Sequence, residues 1–271
     1  MGSGRSPVGG GGSAGGGGAA KAAVQQDVQD SVVQATAPIL NNPVGNAAAM
    51  TDAMATAIRQ QEDSTYNAMT KAAVKMYISD TDFDQQGHSL SQTMNYLLDE
   101  GVDFSNMDRK AINKKYNLNL TDNDISSLQY TYTRMNSAFH PIGSDVRLQR
   151  GAHDDLLRNV FGINDYTQMS PAQLQKALVG KAFRNTSPMS TSYDIKKNPF
   201  IGNGPASGGR EVVYNIKAGK NTPMLFGAKA QSEVVLGYAN WKVTGVRYTG
   251  KTATPRGKGS KPQIEIDIET F

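Results

Sequence analysis

The apolar residues of this chain change period close to Gly143, and that change limits the folds open to it. Before Gly143 they recur three and four apart: Met50, Met54, Ala57 and Ile58; Met69, Ala72, Ala73 and Met76; Leu90, Met94, Leu97 and Leu98; then Ile125, Leu128, Tyr132, Met135 and Phe139. Such spacing lines one face of an α-helix. Gly101 and Gly143 read as helix ends, and Thr121 with Asp124 as a helix start. After Gly143 the pattern alternates. Val146, Leu148 and Arg150 interleave with Arg147, Gln149 and Gly151, as along a strand. Further strands are expected over 189–193, 211–217, 224–226, 233–236, 241–248 and 263–271, the last with Ile264, Ile266 and Ile268 in strict alternation. Ser170-Pro171-Ala172-Gln173 is a capping box with Pro at the first helical position, opening one more helix through Leu174 and Leu178. Helices first and strands afterwards predict an α+β fold with a mainly antiparallel sheet.

The N-terminal part differs in composition. Residues 1–20 are nearly all Gly, Ser and Ala. They have nothing to bury and are expected to form a flexible tether. Residues 21–88 are rich in Ala, Gln, Met and Val and are interrupted by Pro38 and Pro43. They read as a helical arm, either a plain linker or a docking element for a larger assembly. Residues 89–271 carry the sharper signals and are taken as the principal domain.

Composition removes several classes of chemistry. The chain has no Cys, which excludes disulfides, thiol nucleophiles and thiolate zinc sites. Its three His (His88, His140 and His153) are dispersed, so no metal is expected. The net charge of +4 is partly local, with Lys251, Arg256, Lys258 and Lys261 near the C-terminus. That suits weak attraction to anions, not specific nucleic-acid recognition. No run approaches the roughly 18 apolar residues of a membrane span. No apolar segment of a secretion signal opens the chain. Action in a cytoplasm is expected, reached directly or by a route that reads no such signal.

Residues 245–252, Gly-Val-Arg-Tyr-Thr-Gly-Lys-Thr, match a phosphate-binding loop letter for letter. Such a loop must open a helix whose N–H groups face the phosphates. Ala253-Thr254-Pro255-Arg256-Gly257 cannot do so, and a hairpin is expected instead. Gly202, Gly204, Gly208 and Gly209 form a second cluster, also without a helix after it. It reads as a mobile loop between strands, one able to close over a ligand.

Three short motifs gain meaning from their order. Arg150-Gly151 ends a predicted strand. Ser190-Thr191-Ser192 follows Pro188-Met189 on a later one. Gln231-Ser232-Glu233 then runs into Val234-Val235-Leu236. Together with Tyr130-Thr131 in the long helix, the 211–217 strand, and Trp241 ahead of a final alternating strand, they resemble the mono-ADP-ribosyltransferase toxin superfamily. The likeness is to its Arg–Ser-Thr-Ser–Gln-x-Glu branch, the C3-like and binary-toxin-type domains, and covers roughly 90–271.

The resemblance implies a metal-free reaction in which NAD is the substrate and ADP-ribose passes to a protein side chain. Glu233 would stabilise the oxocarbenium-like ribose. Ser190 would hydrogen-bond and orient Glu233. Arg150 would face the NAD phosphates, and Gly151 would let the backbone approach the nicotinamide amide. Thr191 and Ser192 would sustain the strand and the cofactor-side cleft wall. Phe200 would either stack near the nicotinamide or pack. Gln231 would position a non-Arg acceptor, with 219–230 as the acceptor-recognition turn and Phe226 either an exposed contact or a core residue. In an extended stretch Gln231 and Glu233 would share one face. Gln149, where relatives carry an aromatic or apolar residue, and the Gly-rich stretch before 211 depart from the pattern. The implied role is that of a toxin or effector from a pathogen or a bacteriophage, injected into a host or carried in a virion, acting on a host protein. The alternative is a virion-associated or structural protein whose transferase-like domain is inactive or only hydrolyses NAD.

Overall fold

The computed structural model describes residues 47–79, 81–84, 86–152, 156–195, 212–252 and 262–271. Five helices come first: α1 Asp52–Thr65, α2 Ala68–Tyr77, α3 Leu90–Asp99, α4 Arg109–Tyr116 and α5 Asp122–Ala138. A sixth, α6 Pro171–Leu178, stands among the strands. Each begins at a residue whose short side chain accepts a backbone N–H of the first turn: Thr51, Asn67, Ser89, Asp108, Thr121 and Ser170. Such a cap contributes about 1 kcal/mol. Helix α5 stops at Ala138, short of Gly143. Phe139 is already non-helical, and His140–Pro141 pairs with a strand.

Among the described residues ten strands make up the sheet: β1 Ala48–Ala49, β2 His140–Pro141, β3 Val146–Ala152, β4 Ala182–Arg184, β5 Met189–Ser192, β6 Val212–Ala218, β7 Pro223–Phe226, β8 Glu233–Leu236, β9 Asn240–Thr252 and β10 Pro262–Thr270. Their order is β2-β7-β8-β5-β3-β6-β10-β9-β4, with β1 beside β3. Among the described strands only β1–β3 and β6–β10 are parallel. The fold is thus α+β with a mostly antiparallel sheet, as the change of period predicts. Strands β3 and β5 share a single partner pair, Gln149 and Ser192. This seam divides the sheet into a β2-β7-β8-β5 half and a β3-β6-β10-β9-β4 half.

Two apolar clusters hold the layers. The larger gathers Met50 and Ala55 with Val146, Leu148, Leu174, Leu178, Trp241 and the inward Ile264, Ile266 and Ile268. The second joins the helices through Tyr77, Leu90, Met94, Leu97, Leu128 and Met135. The described part of the expected 21–88 arm therefore packs into both. Strands β7 and β8 separate the clusters: Met224, Phe226, Val234 and Leu236 face the first, Leu225 and Val235 the second. Burial on both sides explains why β8 reads as a continuous apolar run after Glu233. Among the described residues, no helix is long and apolar enough to cross a membrane.

Candidate active site

Glu233 opens β8 directly opposite Ser192, next to the seam between the sheet halves. It is 5% exposed. One carboxylate oxygen, Oε2, accepts the Ala228 N–H at 2.8 Å. The carboxylate lies against the backbone of Gly227, where a Cβ would come within 2.1 Å of Oε2. Glycine is therefore required at 227 by the close approach of Glu233.

The turn before Glu233 is not extended. Lys229–Gln231 form a single 3₁₀ turn, and Ser232 adopts a left-handed conformation at φ 50°. Gln231 and Glu233 thus do not follow the alternation of one strand, contrary to the sequence expectation. Gln231 is half-buried, and its backbone carbonyl accepts the Ser192 hydroxyl at 3.3 Å.

Arg150 lies on β3, one residue past the seam. Its Nη1 donates to the Ser190 carbonyl at 2.8 Å, so the guanidinium reaches from one sheet half to the other. Its remaining N–H groups have no partner among the described residues, a state suited to an anion. Gly151 follows on β3 opposite Val213.

The three hydroxyls of β5 make different contacts. Ser190 stands opposite Val235, and among the described residues its hydroxyl makes no hydrogen bond to Glu233. The carboxylate is held by the Ala228 N–H instead, and the serine facing Glu233 is Ser192. Thr191 is fully buried and donates to the Val234 carbonyl at 2.7 Å. Ser192 is fully buried too, its hydroxyl turned to the carbonyls of Gln231 and Asp194. Both brace the strands. Gln149, buried, donates to Asn215 Oδ1 at 2.9 Å, which gives the amide at this position a partner across the sheet.

Phe226 is 3% exposed, in the larger cluster. Its ring meets Tyr193 edge-on and lies beneath the Arg59 guanidinium at 4.2 Å. Burial there corrects the exposed acceptor-contact reading in favour of the core reading. Phe200 lies outside the described residues.

Three groups of residues near the site escape sequence reasoning. Tyr77, at the end of α2, is buried within electrostatic reach of Arg150 and Glu233, its hydroxyl exchanging hydrogen bonds with the Asn95 amide. Burial pushes its ionisation up, which keeps it neutral. In sequence it merely ends an apolar run. From α1, Arg59 donates to the Gly227 carbonyl at 2.8 Å and the Glu233 carbonyl at 3.4 Å. Glu62, 7% exposed, accepts the Phe226 N–H and His140 Nε2, both at 2.9 Å. The hydrogen bond with Glu62 raises the His140 pKa against the opposing effect of burial. A sequence signal for Arg59 and Glu62 exists only as two charges on the apolar side of an amphipathic helix.

No protein-family model matches the chain, and no curated protein does. Solved structures do. The ADP-ribosylating toxin BECa of a binary enterotoxin of C. perfringens, with NADH, superposes with a TM-score of 0.55 at 12% identity, over 83% of this chain and 50% of that one. C3stau2 from S. aureus, with NAD, gives 0.52 at 15% identity over 82% of this chain and 96% of its own. Plx2a, an ADP-ribosyltransferase toxin from Paenibacillus larvae, gives 0.50 at 10% identity over 81% and 96%. The chain has the fold of the ADP-ribosyltransferase toxins.

Proposed function

We propose that this protein is a mono-ADP-ribosyltransferase that moves ADP-ribose from NAD to a protein side chain and releases nicotinamide. The observation that carries the reading is Glu233. A carboxylate 5% exposed, with one oxygen held by a backbone N–H, stands at the seam that the Arg150 guanidinium crosses. The residues present suit NAD as a substrate. Arg150 has N–H groups left for a phosphate, and Gly151 presents bare backbone beside it.

In the reaction the bond between ribose C1′ and the nicotinamide nitrogen breaks, and nicotinamide leaves with the electron pair. Positive charge then grows on the ribose. Glu233 is a fixed anion whose attraction strengthens as that charge develops, so it acts on the transition state more than on bound NAD. Gln231, neutral and half-exposed on the turn, orients the incoming acceptor. Its amide suits a neutral acceptor such as a carboxamide better than a guanidinium. The acceptor nitrogen bonds to C1′ and gives up a proton.

Incubation with adenylate-labelled NAD and a total cell lysate tests the assignment. Label is expected in protein with the wild type. Glu233→Gln keeps the shape and removes the charge, and is expected to lower the rate by about 10²–10³ with little change in NAD affinity. Near-normal turnover in this variant overturns the reading.

A further inference from the structure

We propose that Arg59 is a positioning residue for the transfer step: its guanidinium clamps both ends of the 228–232 turn and thereby sets where Gln231 stands relative to Glu233. This rests on the transferase reading of the site.

Ala55, Arg59 and Glu62 succeed one another four and three residues apart, so they share one face of α1. Ala55 anchors that face in the larger cluster. Arg59 and Glu62 then grip the β7–β8 ribbon at adjoining points. Glu62 accepts the Phe226 N–H at 2.9 Å, and the Arg59 guanidinium covers the Phe226 ring at 4.2 Å. Arg59 also donates to the Gly227 and Glu233 carbonyls, the two backbone groups that flank the turn.

The ladder itself shows why these groups are available. The Gly227 N–H donates to the Glu233 carbonyl at 3.1 Å, but the Glu233 N–H turns to Ala228 at 3.2 Å instead of returning to Gly227. The Gly227 carbonyl is left without its ladder donor, and Arg59 supplies one. The Phe226 N–H points away from β8, beyond the end of two-residue β2, and Glu62 supplies the acceptor.

A hairpin of ordinary geometry closes with its own hydrogen bonds and needs no helix to hold it. This turn carries a left-handed serine and a bulged ladder. It is held by a half-buried arginine, whose charge is opposed by burial and supported by Tyr193, Glu62 and Glu233. The clamp bears unequally on the two site residues. The Glu233 side chain has its own hold, the Ala228 N–H, and its backbone is paired in β8. The Gln231 side chain has no hydrogen bond among the described residues, so its place is set by the turn backbone alone. Loosening the turn therefore displaces Gln231 first.

The test compares wild type, Arg59→Ala and Arg59→Lys in three measurements: label passed from NAD to lysate protein, nicotinamide released without acceptor, and hydrogen exchange at residues 227–233. Lysine keeps the charge but cannot span two carbonyls, so it is expected to fall between the other two proteins. It also serves if the alanine variant does not fold. In Arg59→Ala, transfer is expected to fall about tenfold or more while nicotinamide release stays within about threefold. The amides of 231 and 232, bonded within the turn, should lose protection, while that of 228, which holds the Glu233 carboxylate, and those of β10 keep theirs. Parallel loss of transfer and release, no loss of either, or unchanged protection at the turn overturns the proposal. Wild-type protein that neither transfers nor hydrolyses overturns the transferase reading, and this proposal with it. In that case the exchange data still decide, on their own, whether Arg59 holds the turn.

Discussion

The turn between β7 and β8 and the strand β9 make an instructive pair. Residues 245–252 of β9 match a phosphate-loop pattern in every letter, yet they lie in one continuous strand paired antiparallel with β10. Backbone N–H groups of a strand point alternately to either side and cannot converge on a phosphate. The polar groups there satisfy one another: Arg247 pairs with Glu265 and Asp267, and Asn215 donates to the same two carboxylates. The β7–β8 turn matches no such pattern, yet it holds a buried carboxylate next to the seam that Arg150 crosses. A pattern of letters reports chemistry only where the backbone bends to gather the groups. The ribbon β7–β8 is covered on both faces, whereas the Arg247 side of β9 is open to solvent.

The two glycines backed by carboxylates give the sharpest way to break this comparison. A Cβ on Gly227 would overlap Glu233 Oε2, and one on Gly245 would come within 2.7 Å of Asp267 Oδ2. Gly227→Ala must push a buried carboxylate from its N–H, and is expected to lower NAD turnover by about 10². Gly245→Ala moves only a part-exposed side chain, and turnover should stay within about threefold. Steady-state nicotinamide release measures both. Equal losses would show that β9 serves the site as well.

A smaller effect is expected from Gln231→Ala. Transfer to lysate protein should drop about tenfold while hydrolysis of NAD holds, since water needs no orienting amide. Equal loss in the two reactions would assign Gln231 to the NAD step and remove the acceptor inference.

The smallest effect concerns stability. The Glu62–His140 pair raises the His140 pKa above its ordinary value of 6.5. A group whose pKa is raised on folding stabilises the fold fully below its unfolded value, and that contribution fades as pH climbs through the folded value. Relative to His140→Gln, the wild type should gain about 1 kcal/mol or less below pH 6.5, the scale of a part-exposed ion pair. The gain should shrink at higher pH. Urea titrations from pH 5 to 9 measure it, and a difference that stays flat or grows with pH would deny the pairing.

Much of the fold was legible because it rests on local rules. The helix starts at Thr121 and Ser170 follow from short side chains that cap the first turn, and the strand at Ile264, Ile266 and Ile268 from alternation. The order of Arg150, Ser190–Ser192 and Glu233 was equally plain, since each motif is only a few residues long. The division of labour among those residues was not. That Ser192 and not Ser190 faces Glu233 depends on strand register, which no single strand contains.

The caps, the periods and the types of group available to a site follow from the amino-acid order, because each depends on neighbours within a turn or two of chain. Tertiary structure alone decided that Phe226 is buried, that Gly227 must lack a side chain, and that Arg59 meets carbonyls 168 and 174 residues away. Those contacts arise where a helix face and a strand end are pressed together by two apolar clusters. Their partners are set by packing over the whole chain, and no local pattern can encode them.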